Sequence, residues 1–189
     1  MRPLIALLLG GLLVGGCDRQ SAPPPQAKAD APVPQAGGGE ELAGTLDISQ
    51  RGKAAPADGF LAPDGKPVTL ATFRGKPVLL NLWATGCGPC VREMPTLDAV
   101  AGRAGDKLQV LVVSQDRAGV DLGPTWAKGK FRHLEQYRDP DSKLGFAFST
   151  GMLPTTVLFD KDGKEVWRVT GGMDWNGPRA NTLLAEVTG

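Results

Sequence analysis

Cys87 and Cys90, in the run Cys87-Gly88-Pro89-Cys90, are the residues whose type and spacing point most directly to chemistry. Two intervening residues bring the sulfurs within bonding distance, so the pair can cycle between a dithiol and a disulfide. The run follows an apolar segment ending at Trp83 and opens a segment of helical periodicity, which places Cys87 at a helix N-terminus. There the unpaired backbone N–H groups and the macrodipole favour negative charge. A thiol so placed can have its pKa lowered from about 8.5 to roughly 3.5–7.5. Cys87 is therefore the candidate attacking thiolate. Cys90, expected to be the more buried, is the candidate for resolving the mixed disulfide.

Other uses of the pair compete with this one. A structural zinc site needs four ligands, and apart from the pair the folded part offers only His133 and carboxylates. A copper metallochaperone using the two thiolates and His133 is the alternative of another class. Met94, Met152 and Met173 read as core and loop residues rather than copper ligands, so no metal site is expected. A purely structural disulfide would close so small a loop that it removes little chain entropy. The redox pair is expected to need no further cofactor.

The elements that must position the pair are legible on either side of it. Pro77-Val78-Leu79-Leu80-Asn81-Leu82-Trp83 and Leu108-Gln109-Val110-Leu111-Val112-Val113 are continuous apolar runs, which fit strands covered on both faces. Between them Val91, Met94, Leu97, Val100 and Ala101 recur at helical spacing, predicting a helix over Gly88 to Arg103. Further along, a helix from Pro124 to Lys130, a strand over Leu134 to Arg138 and a short helix from Ser142 to Phe148 are expected. Strands Thr155 to Asp160 and Glu165 to Thr170 flank the turn Lys161-Asp162-Gly163-Lys164, a hairpin signal. Pro178 to Val187 reads as a closing helix. Phe60-Leu61 and Val68-Thr69-Leu70 around Pro63-Asp64-Gly65 suggest an N-terminal β-hairpin extension. Together these predict an α/β fold: a central mixed β-sheet flanked by helices on both faces.

The chain opens differently. Met1 to Gly16 carries one early charge, Arg2, and an apolar run from Leu4 to Val14. That run is shorter than the roughly 20 residues a permanent span requires, and it fits a secretory signal. It ends at Val14-Gly15-Gly16-Cys17, which looks like a bacterial lipobox with Cys17 as the lipidation site; an ordinary signal with a chance cysteine is the alternative. From Asp18 to Gly39 the chain is rich in Pro, Ala and Gly, with Val33 as its one large hydrophobe. Such a stretch buries too little surface to offset its chain entropy and reads as a tether. The expected organisation is a signal peptide over 1–16, the lipidated cysteine and tether over 17–44, and one folded domain over 45–189. The three cysteines fit this division, since lipidation of Cys17 leaves one pair. With a formal net charge of +1 and no clustered basic stripe, nucleic acid is not expected as a partner.

An ordered set of pieces carries a family resemblance over about Gly59 to Val187. These are Gly65-Lys66-Pro67-Val68-Thr69-Leu70, Arg74-Gly75-Lys76-Pro77 running on to Thr85, the Cys87–Cys90 run, Arg92-Glu93-Met94-Pro95, Asp139-Pro140-Asp141 and Leu153-Pro154-Thr155-Thr156. The set resembles the thioredoxin superfamily, and within it the TlpA/ResA-like branch of membrane-anchored thiol–disulfide oxidoreductases. The resemblance implies a thioredoxin-like fold and a cis Pro154 facing the redox pair, with the Leu153 backbone offered to a substrate peptide. It places Trp83, Gly88, Pro89, Leu153 and Pro154 at the substrate-binding surface, Trp83 packing under the active-site loop. Asn81 stands where cytosolic thioredoxins carry a buried Asp. Glu93 lies three residues after Cys90 and can share its helix face; in the ResA-like relatives a Glu at this spacing handles the proton, while a solvated acid favourable to the helix dipole is the plainer reading. Gly86 departs from the Trp that often precedes the first cysteine, so the family's partner surface and redox poise are not carried over.

The resemblance further implies dithiol–disulfide exchange with protein substrates, in the reductant direction, as in apocytochrome c or copper-site maturation; an oxidant or isomerase direction is the alternative. Electrons would come from a transmembrane thiol carrier. The protein is expected as a monomer in the bacterial periplasm, held by its lipid anchor. Asp18 resembles the signal that retains lipoproteins at the inner membrane.

Overall fold

A computed structural model of the chain describes residues 43–188. In chain order the elements are β1 (Ala43–Asp47), β2 (Phe60–Leu61), β3 (Pro67–Val68), β4 (Val78–Trp83), α1 (Gly88–Ala104), β5 (Gln109–Ser114), α2 (Gly123–Gly129), β6 (Tyr137–Arg138), α3 (Lys143–Phe148), β7 (Thr155–Phe159), β8 (Glu165–Met173) and α4 (Pro178–Thr188). Every residue of β4 and β7 is buried, as continuous apolar strands in the middle of a covered sheet must be. The strands form one mixed sheet in the order β1-β8-β7-β4-β5-β6-β2-β3. β4, β5 and β6 run parallel; β7 is antiparallel to β4, β8 to β7, and β1 to β8.

Alternation along each strand sends side chains to two separate cores. Leu79, Trp83, Val110, Val112, Leu158, Trp167 and Val169 pack with Met94, Leu97 and Val100 of α1, Ala180 and Leu184 of α4, and Trp126 of α2. Val78, Leu80, Leu82, Leu111, Val113, Val157 and Phe159 pack with Leu144 and Phe148 of α3. Helices therefore cover both faces, as expected from the sequence. Asn81 and Thr156 fall on the α1 face, where a polar pair is conspicuous among apolar neighbours.

Three local outcomes differ from the sequence reading. β1 was not anticipated: it pairs along β8, where Gly44 comes so close that a Cβ would lie 2.6 Å from the Gly171 carbonyl oxygen. β6 is shorter than Leu134 to Arg138. The N–H groups of Arg132, His133 and Leu134 are taken by Asp98 Oδ1, at 3.0, 2.8 and 3.1 Å, and so are not available to a strand partner. The strand after Pro63-Asp64-Gly65 stops at Val68, and Leu70–Phe73 coils into a 3-10 turn. The β2–β3 hairpin joins the sheet itself, through the pairing of Leu61 with Arg138.

Candidate active site

β4 delivers the chain to the carboxyl end of the sheet and α1 carries it away, which is where open α/β sheets hold their sites. Cys87 is the N-cap of α1: its backbone is extended, its carbonyl accepts from Val91 N–H at 3.1 Å, and its sulfur accepts from Cys90 N–H at 3.3 Å. Pro89 suits the first turn, where a missing N–H is not felt. Cys87 and Cys90 are joined in a disulfide of 2.02 Å with 5.3 Å between their Cα atoms. Cys90 is fully buried, while Cys87 is half-buried between the exposed Gly86 and Gly88. An incoming sulfur therefore meets Cys87 first, and Cys90 is approached only through it.

The turn that precedes Cys87 is held from the neighbouring strand. Asp116, just past β5, accepts from Thr85 N–H at 2.9 Å, Thr85 Oγ1 at 2.8 Å and Ser114 Oγ at 2.8 Å. Sequence reading missed Asp116. Its place directly after a buried strand that runs parallel to the site-bearing one was the available signal.

Glu93, one turn along α1 from Cys90, is completely buried. It is not the solvated first-turn acid that its position alone allowed. Oε1 accepts from Asn81 Nδ2 at 2.7 Å; Oε2 accepts from Met173 N–H at 2.9 Å and Trp175 Nε1 at 3.1 Å. Burial raises its pKa from 4.5 to about 7, against the pull of these hydrogen bonds toward the ionised form. Asn81, also completely buried, donates a second bond to Thr156 Oγ1 at 2.9 Å, and its Oδ1 has no partner among the described residues. A carboxyl whose pKa burial raises to about 7 thus sits on the same helix as Cys90.

The Leu153–Pro154 peptide bond is cis. Pro89, Arg92, Leu153, Pro154 and Thr170 line one groove of about 300 Å3, together with Ala43, Gly44 and Thr45 of β1. The structure thus brings Pro89, Leu153 and Pro154 together beside the redox pair. Trp83 does not join them: it is completely buried, in ring contact with Trp126 at 5.6 Å, and offers no surface to a substrate. Grouping it with substrate-binding residues is corrected to a place beneath the site. His133 packs against Gly102, twelve residues beyond Cys90 on α1 and so about 18 Å away along the axis; it does not complete a ligand set with the two sulfurs. Among the described residues no cluster of three or more His, Cys, Asp or Glu side chains could hold a metal ion. Cys17 lies outside the described residues.

The geometry suits reversible disulfide exchange: one accessible sulfur at a helix N-terminus, one buried sulfur behind it, a titratable carboxyl nearby and a groove for an extended chain. Comparison with known proteins agrees. Residues 50–184 match the Redoxin family. The thiol-disulfide oxidoreductase ResA of Bacillus cereus is 32% identical over 123 residues, covering 65% of this chain and 70% of that protein. The crystal structure of the exposed lipoprotein thioredoxin of Streptococcus pneumoniae is 30% identical with a TM-score of 0.57, covering 68% of this chain and 98% of that one. The solution structure of a thiol:disulfide interchange protein from Bacteroides sp. is 28% identical with a TM-score of 0.61, covering 74% and 91%.

Proposed function

We propose, from the premise that this chain belongs to the Redoxin family and is a ResA-like thiol–disulfide oxidoreductase of the thioredoxin superfamily, that it works outside the cytoplasm as a lipid-anchored reductant of protein disulfides. The observation that carries the reading is the buried Glu93 carboxyl on the helix of Cys90, held by Asn81, Met173 and Trp175. In the reductant direction Cys87 thiolate attacks a client disulfide, one client sulfur leaves as thiolate, and a mixed disulfide forms. Cys90 then loses its proton to the Glu93 carboxylate and attacks Cys87 Sγ; the second client sulfur leaves, and the Cys87–Cys90 disulfide is restored. Two electrons have passed to the client. A buried thiol can attack only after deprotonation, and a carboxyl titrating near 7 is matched to that task.

The Glu-bearing relatives make apocytochrome c or copper-site thiols the expected client class, with a transmembrane thiol carrier resupplying the electrons. The amino-terminal apolar run from Leu4 to Val14, the Cys17 that follows it and the Pro/Ala-rich stretch after that support export and anchoring; the similar pneumococcal protein is itself a lipoprotein. Among the described residues no helix is long and apolar enough to cross a membrane.

The redox potential of the purified full chain tests the direction. A reductant is expected near or below the thioredoxin value of about −270 mV, whereas a value near about −120 mV, that of a strong oxidant, would overturn it. Metabolic labelling with a fatty acid, lost in a Cys17→Ser variant, tests the anchor.

A further inference from the structure

Glu93 is surrounded by groups that give hydrogen bonds. Oε2 accepts from Met173 N–H at the end of β8 and from Trp175 Nε1 in the turn before α4; Oε1 accepts from Asn81 Nδ2 on β4. A backbone N–H and an indole N–H donate only, and neither can turn round to accept. Trp175 is also held at its other polar atoms. Its N–H donates to Thr96 Oγ1 at 3.1 Å, its carbonyl accepts from Arg103 Nη2 at 3.0 Å, and its buried ring stacks on Trp167 at 6.2 Å. Glu93, Thr96 and Arg103 all belong to α1, so the helix that bears the carboxyl also fixes the indole against it. Oε2 is thus an acceptor at all times. A proton on this carboxyl has to sit on Oε1, and there it meets the Asn81 amide.

That amide presents Nδ2 to both Glu93 Oε1, at 2.7 Å, and Thr156 Oγ1, at 2.9 Å, while its buried Oδ1 has no partner among the described residues. This suits an ionised Glu93. Against a protonated one, Nδ2 would face an O–H, donor against donor. A half-turn about Cβ–Cγ, a torsion that is nearly two-fold for Asn, exchanges nitrogen and oxygen with almost no change of shape. Oδ1 then accepts from Glu93 Oε1–H and from the Thr156 hydroxyl, which can give as well as receive. Each position leaves one end of the amide without a partner among the described residues, so neither position is locked.

We propose that Asn81 is a positioning residue whose amide turns with the proton: Nδ2 faces Glu93 when the carboxyl is ionised, and Oδ1 faces it when Oε1 is protonated. The proposal rests on the reading of Glu93 as the base for Cys90. In that step one proton leaves Cys90 Sγ for Glu93 Oε1, no electron moves, and the turned amide supplies the acceptor that the new O–H needs. The groups facing the carboxyl are Asn81 of β4 with Thr156 of β7 behind it, Met173 of β8 and Trp175, and none of them titrates. Arg103, behind Trp175, is a guanidinium of fixed charge. Cys90, on α1 itself, titrates only when reduced.

The test uses the oxidised full chain carrying Cys17→Ser, isotope-labelled for NMR, in which the paired sulfurs do not titrate. Nuclear Overhauser effects from the Asn81 Nδ2 protons to the Thr156 side chain should be present above the Glu93 carboxyl titration and lost below it, with one midpoint for both. Glu93→Gln, whose amide reproduces the protonated acid, should show the low-pH pattern at every pH. Trp175→Phe removes a group that only donates, and should raise the proton affinity of Glu93 about tenfold. Asn81→Leu removes a partner of both forms, and should change that affinity less than about threefold. In the reduced protein, the pH dependence with which Cys90 closes on a Cys87 mixed disulfide should move with each of these shifts. Overhauser effects unchanged through the titration would overturn the turning amide and leave disulfide exchange intact, as would an Asn81→Leu shift as large as that of Trp175→Phe. An amide that turns with the carboxyl while the closing rate follows neither would uphold the turn and overturn Glu93 as the base.

Discussion

Asn81 Nδ2 and Glu93 Oε1 lie 2.7 Å apart, both residues completely buried, one on the central strand β4 and the other on α1, the helix that carries Cys90. The contact ties the protonation of the helix to the sheet beneath it, and it has a consequence for stability. Burial holds the Glu93 pKa at about 7 in the folded chain, against an ordinary 4.5. Between those values the folded state binds a proton that the unfolded chain has released, so stability falls as pH rises from about 4.5 to about 7 and is level above that. The full change corresponds to about 3 kcal/mol. Glu93→Gln should remove this slope, so that unfolding free energies measured in urea at pH 5 and pH 8 differ less than in the parent protein. An undiminished slope would place the titration elsewhere. The same variant should slow the second step of exchange, and the mixed disulfide should build up at neutral pH.

Replacing the amide by a second acid sharpens the same point. In Asn81→Asp a carboxylate oxygen would stand where Nδ2 now donates, within about 3 Å of Glu93 Oε1, and two carboxylates so close share one proton. One macroscopic titration should then move above that of Glu93 alone, read from carboxyl carbon chemical shifts against pH. Two independent titrations in the ordinary acid range would mean that water reaches the pair.

The strongest elements of the fold were legible because their signals are local. β4, β5 and α1 follow from uninterrupted apolar runs and helical spacing, and the β7–β8 hairpin from the Asp162-Gly163 turn. β1 was not, because Ala43-Gly44-Thr45-Leu46-Asp47 has no apolar run; it is a strand because β8 presents a free edge of backbone groups for it to pair. At the site, Cys87 and Cys90 carry their meaning in their spacing. Glu93 carries half of its own: its helix face is set by its distance from Cys90, but its donors at Met173 and Trp175 lie 80 and 82 residues away, and no local pattern announces them. The hold of Asp116 on Thr85 is likewise invisible until β4 and β5 are side by side.

Asp116 gives the third prediction. Its carboxylate answers Thr85 N–H, Thr85 Oγ1 and Ser114 Oγ, and Asp116→Ala would leave these part-buried donors without their acceptor. The loss should be about 2 kcal/mol, seen as a lower urea midpoint with an unchanged slope. Because the freed turn leads directly into Cys87, the rate of reaction with a small disulfide should fall as well. A stability loss with no change in that rate would separate the turn from the chemistry.

Unequal exposure of the two sulfurs makes the last prediction asymmetric. Cys87 is half-buried and flanked by exposed glycines, whereas Cys90 is fully enclosed. Cys90→Ser should leave the attacking sulfur in place and remove the one that releases the client, so covalent adducts should accumulate through Cys87. Cys87→Ser should give none, since Cys90 has no surface from which to attack. Both variants, expressed as the full chain, should be compared on non-reducing gels and their adducts identified by mass spectrometry. Equal trapping by the two variants would mean that either sulfur can start the reaction, and the order of attack read from their burial would be wrong.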